Sequence, residues 1–193
     1  MKENPEKYRE LFKVFAILLT DGIIESKFVN NWADEILAKE TESEYEFIEI
    51  STTLNLNDLI TLLNKLSENC NLKISQRAIF GILYNSNIGE YIDIKNATKV
   101  VSKFTLNNSL TEKERAFLYG IDDFVDLAIE KIYGDLNKLK NEFWDFMEIY
   151  QELNFNSVEN WNSINKKIEE NLQIELEKVT DKYALKKKKW WQF

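Results

Sequence analysis

Apolar residues recur at three- and four-residue steps along most of the chain, the spacing of helices that each bury one face. Tyr8, Leu11, Phe12, Phe15, Leu18 and Leu19 make the first stripe. Asn4 and Pro5 supply its cap and first-turn proline, and Gly22 its end. Ser26 is expected to cap a second helix with Phe28, Val29, Trp32, Ala33, Ile36 and Leu37 inward. Thr41-x-x-Glu44 reads as a capping box opening a third helix over residues 45–50, with Phe47 and Ile48 expected in the core. Alternation and β-branching there also suit a short strand; helix is the reading adopted, because no second strand-like run is available to pair with it.

Leu56, Leu59, Ile60, Leu62, Leu63 and Leu66 line a fourth helix ending near Asn69. Ser75 is expected to cap a fifth through Ala78, Ile79, Ile82 and Leu83, and Asp93 a sixth through Ala97, Val100, Val101 and Phe104. Thr111-x-x-Glu114 is a second capping box. Beyond it, Phe124, Val125, Leu127, Ala128 and Ile132 form another stripe, and Leu136 to Leu153 a long one near heptad spacing. A last helix is expected from about Ser157, showing Trp161, Ile164, Ile168, Leu172, Leu176, Val179 and Tyr183 on one face over roughly 28 residues, or ~40 Å. That length predicts a helix that either projects or covers several others.

These elements predict an all-α, single-domain bundle of about eight to ten helices over residues 1–185, followed by a basic and aromatic tail at 186–193. Composition agrees: 5 glycines and 1 proline among 193 residues are too few for the tight turns of an all-β domain, while 44% apolar residues suffice for a core. The single cysteine, Cys70, excludes an internal disulfide. The amino terminus lacks the apolar core of a signal peptide and no apolar run reaches spanning length, so cytoplasmic residence without a membrane span is expected.

Charge narrows the function classes. A net charge of −8 and a pI near 4.8 disfavour direct nucleic-acid binding and favour a basic partner. Four of the 25 basic residues sit together at 186–189, so the remainder is more acidic still. The tail that carries them, with Trp190, Trp191 and Phe193, reads first as packing back on the domain, since adjacent exposed tryptophans are unusual in a soluble protein.

The chain has no histidine, which removes the commonest general base, the Ser-His and Cys-His pairs and the usual zinc ligand. No catalytic residue and no cofactor is assigned. Asp122, Asp123 and Asp126 spell a DDxxD pattern similar to the aspartates with which isoprenoid synthases hold magnesium against a diphosphate. There is no second metal motif, and Arg9, Arg77 and Arg115 are the only arginines. The reading adopted is that Asp122 or Asp123 caps a helix and opposes its positive end.

The run from Leu11 to Ser51, LF..FAILLTDGIIES..V..WADEIL followed by YEFIEIS, resembles a family of small, uncharacterised, all-helical bacterial proteins that includes immunity proteins of polymorphic toxin and contact-dependent inhibition systems. The resemblance continues more loosely through Arg77-Ala-Ile-Phe-Gly-Ile-Leu and residues 143–150. It implies a helical fold and stoichiometric neutralisation of a toxin domain, often a nuclease. It establishes no functional position.

Residues and resemblance together give a non-enzymatic protein that binds a basic toxin domain. The expected contact edge is Asp34, Glu35, Glu40, Glu42, Glu44 and Glu46, with Tyr45 as aromatic anchor. A second reading is a helical scaffold acting through its last helix, a homodimer included. A third is a magnesium-dependent enzyme at Asp122, Asp123 and Asp126.

Overall fold

The computed structural model describes residues 3–39, 44–88 and 92–183, and these are all-helical, with no strand among them. A 3-10 turn over Pro5–Tyr8 leads into α1 (Arg9–Thr20), α2 (Ser26–Lys39), α3 (Tyr45–Thr52) and α4 (Leu56–Leu66). Then come α5 (Leu72–Ile88), α6 (Ile94–Ser102), a 3-10 turn over Lys103–Leu106, α7 (Glu112–Leu118) and α8 (Ile121–Ile129). The described chain closes with α9 (Leu136–Glu148), a 3-10 turn over Phe155–Asn160 and α10 (Trp161–Tyr183).

Local chemistry accounts for many of the boundaries. The Asn4 side chain accepts from Glu6 N, Asn55 from Asn57 N and Asp58 N, and Asp93 from Asn96 N, each satisfying an orphan amide of a first turn. Thr111 and Glu114 complete their capping box reciprocally. Gly22, at φ +68°, reverses the chain after α1 in a conformation that a Cβ disfavours.

Several expected boundaries move. α5 begins at Leu72, so Ser75 lies inside it, where its hydroxyl donates to the carbonyls of Glu10 and Asn71. α3 begins at Tyr45 with Glu44 at its cap position, not three residues into a helix; Thr41 lies outside the described residues. α8 is capped by Gly120 in left-handed geometry, and Asp122 and Asp123 sit in its first turn without capping it. α9 stops at Glu148, and the chain turns tightly so that Tyr150 and Leu153 are buried beyond the helix end. α10 starts at Trp161 because residues 155–160 wind as 3-10, leaving 23 described helical residues, about 34 Å.

α1 is the central element. Its buried face, Leu11, Phe12, Val14, Phe15, Leu18 and Leu19, packs against α4 and α5. α2 pairs with α3, α6 with α8, and α5 with α9, while α10 lies on α5 and α9. α10 therefore covers neighbours instead of projecting from them. Buried apolar residues from all ten described helices form one cluster. No helix among the described residues is long and apolar enough to cross a membrane.

Two aromatic groups stiffen this core. Around Trp32, the rings of Tyr8, Phe12, Phe15 and Phe47 stand edge-on at centroid distances of 5.2, 6.0, 5.4 and 6.0 Å. Further along, Phe80 meets Phe146 and Tyr150, and Phe117 stacks on Phe146 at 4.1 Å.

Candidate functional site

The pairing of α2 with α3 decides what the acidic edge becomes. Asn30 Nδ2 donates to the carbonyls of Ile50 at 2.7 Å and Thr53 at 3.1 Å, and Ser51 Oγ donates to Asp34 Oδ1. These cross-links set the two helices antiparallel, while Trp32 and Phe47 tie both to α1. With Phe47 and Ile50 turned inward, Tyr45, Ile48 and Thr52 share the outward stripe at three- and four-residue steps. Tyr45 is 69% exposed and Ile48 43%. The expected burial of Ile48 does not occur: it lies about 100° round α3 from Phe47, on the side away from Ile50, and so faces outward.

The predicted contact residues separate accordingly. Tyr45 stands out from the surface, and Asp34 and Glu35 are exposed on α2. Asp34 already accepts the Ser51 hydroxyl, so part of its charge holds the hairpin together. Glu46 is half-buried and faces the other way, into a hollow with Glu6, Arg9 and Lys65. Glu44 is half-buried at the start of α3. Glu40 and Glu42 lie outside the described residues. The described parts of the hairpin carry five carboxylates, Asp34, Glu35, Glu44, Glu46 and Glu49, against Lys27 and Lys39. What results is an exposed apolar pair, Tyr45 and Ile48, on a hairpin whose described residues carry more acidic than basic side chains.

The DDxxD carboxylates do not converge. Asp122 Oδ2 accepts from Ser102 Oγ at 3.1 Å, and Asp126 Oδ1 pairs with Lys95 at 2.8 Å. No group of three His, Cys, Asp or Glu side chains among the described residues is arranged to hold a metal ion. Cys70 is half-buried, and burial pushes its thiol above the ordinary range, which disfavours a reactive thiolate.

A polar cluster not foreseen in the sequence lies deep in the bundle. Arg77 on α5 and Glu114 on α7 are both fully buried and meet in a two-pronged ion pair of 2.8 and 3.1 Å. Arg77 also donates to Asn165 at 2.7 Å and Glu169 at 3.2 Å on α10, and Tyr150 Oη donates to Glu114 Oε1 at 2.8 Å. The capping Thr111 gives Glu114 its backbone N–H and hydroxyl at 2.8 and 2.7 Å. Burial alone would raise the Glu114 pKa, but Arg77 and Thr111 outweigh it and hold the carboxyl below its usual range. Burial, then the nearby Glu114 charge, pushes the Tyr150 phenol well above its ordinary value, so it remains a donor.

Each member of this cluster has a partner within it, which makes it a cross-link of α5, α7, α10 and the turn after α9. Its acid response has a definite sign. A carboxyl with a depressed folded-state pKa contributes stability that is complete above its unfolded pKa, near 4.5, and lost as pH falls through the folded value. Melting temperature followed from pH 7 downward is expected to fall through the acid range in the wild type and to fall less steeply in Glu114→Gln, which starts lower.

Comparison of the chain with family models, with curated proteins and with solved structures gave no match.

Proposed function

We propose that this chain is an immunity-type protein that binds and neutralises a basic bacterial toxin domain, a nuclease being the class its charge suits best. The observation that carries the reading is Tyr45, exposed beside Ile48 on a braced helix hairpin whose described residues are acidic overall. An aromatic ring held rigidly at a surface loses little entropy on binding and is the commonest kind of hot spot. The acids of the hairpin attract a cationic surface and speed encounter, and the bound protein then covers the face with which a nuclease grips phosphate. The resemblance of residues 11–51 to immunity proteins supports the same reading.

The test begins with the neighbouring reading frames: one that ends in a short, basic, His-containing domain would supply the partner for binding measurements, and the absence of such a frame would count against the reading. Tyr45→Ala is expected to weaken binding by about tenfold to thirtyfold, equal to about 1.4–2 kcal/mol, chiefly through faster dissociation. Glu35→Lys is expected to slow association about threefold at low salt and to have little effect at about 300 mM, where surface charges are screened. Unchanged affinity in Tyr45→Ala, with protection of growing cells intact, would remove this face from the proposal.

A further inference from the structure

Arg77 divides its donors between two parts of the bundle. Nε and Nη2 serve Glu114 on α7, which also receives Tyr150 Oη and the backbone N–H and hydroxyl of Thr111. Nη1 reaches α10, donating to Asn165 at 2.7 Å and to Glu169 at 3.2 Å. The two-pronged pair between α5 and α7 is therefore complete without α10, and the part of α10 is to cover it. When that cover lifts, water takes the place of Asn165 and Glu169 on Nη1, so no buried charge is stranded.

The remaining hold on α10 is of two kinds. Beyond Trp161 its inward apolar residues run in single file at three- and four-residue steps: Ile164, Ile168, Leu172, Leu176 and Val179. Each keeps 6–9% of its surface exposed, whereas Leu11, Phe12, Val14, Phe15, Leu18 and Leu19 of α1 keep 2% or less. Charged and polar ties supply the rest: Lys73 to Glu169 at 3.0 Å, Lys113 to Glu177 at 3.5 Å, and Lys182 and Tyr183 to Asp145. Ion pairs as exposed as these contribute little each and are screened by salt. Trp161 is held differently. It is buried, and its Nε1 donates to Asn154 O at 3.0 Å across the 3-10 turn, which fixes the start of the helix.

We propose that α10 from Ile164 onward is a strap that leaves the bundle and redocks as one unit, pivoting beyond Trp161, while α1 to α9 stay folded. Its departure opens the Arg77–Glu114 pair to water with the pair intact, and bares the surface of α5 and α9 on which the file from Ile164 to Val179 rests. The device is independent of the toxin-binding reading, whose contact residues Tyr45 and Ile48 stand on α3. Off the bundle, a helix of about 20 residues is only marginally stable in water, so its amides then exchange with solvent.

Native-state hydrogen exchange of the full chain, followed residue by residue in low urea, provides the test. The amides from Ile168 to Val179 are expected to share one opening equilibrium, at least about 100-fold more populated than the one that exposes the amides of α1 and α5, and with a smaller urea slope. Leu59→Val, at a fully buried position of α4, should speed exchange in α1 about threefold to tenfold and leave exchange in α10 unchanged. Glu169→Gln, which weakens the ties to Lys73 and Arg77, should speed exchange in α10 about threefold. Amides of α10 that accelerate together with those of α1 in Leu59→Val would overturn the proposal, because the helix would then be opening only with the whole fold. So would protection that declines steadily from Tyr183 inward to Ile168, the mark of a fraying end.

Discussion

Glu114→Ala is expected to destabilise the protein by about 3–5 kcal/mol, the largest effect of any single polar substitution here. The substitution leaves the fully buried Arg77 guanidinium with only Asn165 and the partly exposed Glu169, and strips the Tyr150 hydroxyl of its acceptor. It also removes half of the capping box that starts α7. A domain of this size has about 5–15 kcal/mol in all, so urea midpoints should drop by a third or more with the slope nearly unchanged. The double variant Arg77→Met with Glu114→Leu is expected to recover much of the loss, because two apolar side chains of similar volume leave no charge stranded. If Glu114→Ala and the double variant proved equally unstable, the cost would lie in packing and not in the uncompensated charge.

Gly81→Ala should be nearly as damaging, at about 3 kcal/mol or more, although alanine is ordinarily the better helix former. A Cβ at position 81 would stand 2.2 Å from the Tyr150 carbonyl oxygen and 2.3 Å from that of Leu153, both backbone atoms. α5 passes so close to the turn after α9 that only a hydrogen fits. Asn85 Nδ2 spans the same contact, donating to Gly81 O at 2.6 Å and to Gln151 O at 3.1 Å. Relief requires α5 and that turn to separate, which would also stretch the Arg77 cluster one turn away. Calorimetry should show a melting temperature lowered by roughly 10 °C or more, and Asn85→Ala a much smaller loss. A Gly81→Ala protein as stable as the wild type would mean that the two segments part easily.

Much of the fold was open to reading because one-sided helices state their own period. The stripes from Leu11 to Leu19 and from Trp161 to Val179 are the faces that became buried, and Asn4, Asp93 and Thr111 cap where their side chains predict. Misplaced boundaries share a cause. Ser75, Asp122 and Asp123 have the right chemistry for caps, but other residues hold the places: Asn71, whose Oδ1 accepts from Ile74 N, ahead of α5, and Gly120 ahead of α8. Local signals name candidates, and packing chooses among them.

The surface followed the same logic less completely. Periodicity within α3 separates Phe47 and Ile50 from Tyr45, but the sequence does not show which side of the helix meets α1, so Ile48 was assigned to the wrong face. Glu46 looked like its acidic neighbours until the approach of the N-terminal turn and α4 gave it another outlook. For the Arg77 cluster the only signal was a charged residue within the apolar run Ala-Ile-Phe-Gly-Ile-Leu, which asks for a buried partner without saying which.

By itself, then, the sequence determined an all-helical, acidic chain without histidine chemistry, and which face of most helices goes inward, because helical period and composition are properties of neighbouring residues. The tertiary structure alone decided that Glu114, 37 positions from Arg77, neutralises it, that Gly81 can be nothing larger, and that Tyr45 stands clear of its acidic edge while Glu46 does not. Those outcomes depend on distances between segments far apart in the chain, and such distances are set by how helices cross, which no local pattern encodes.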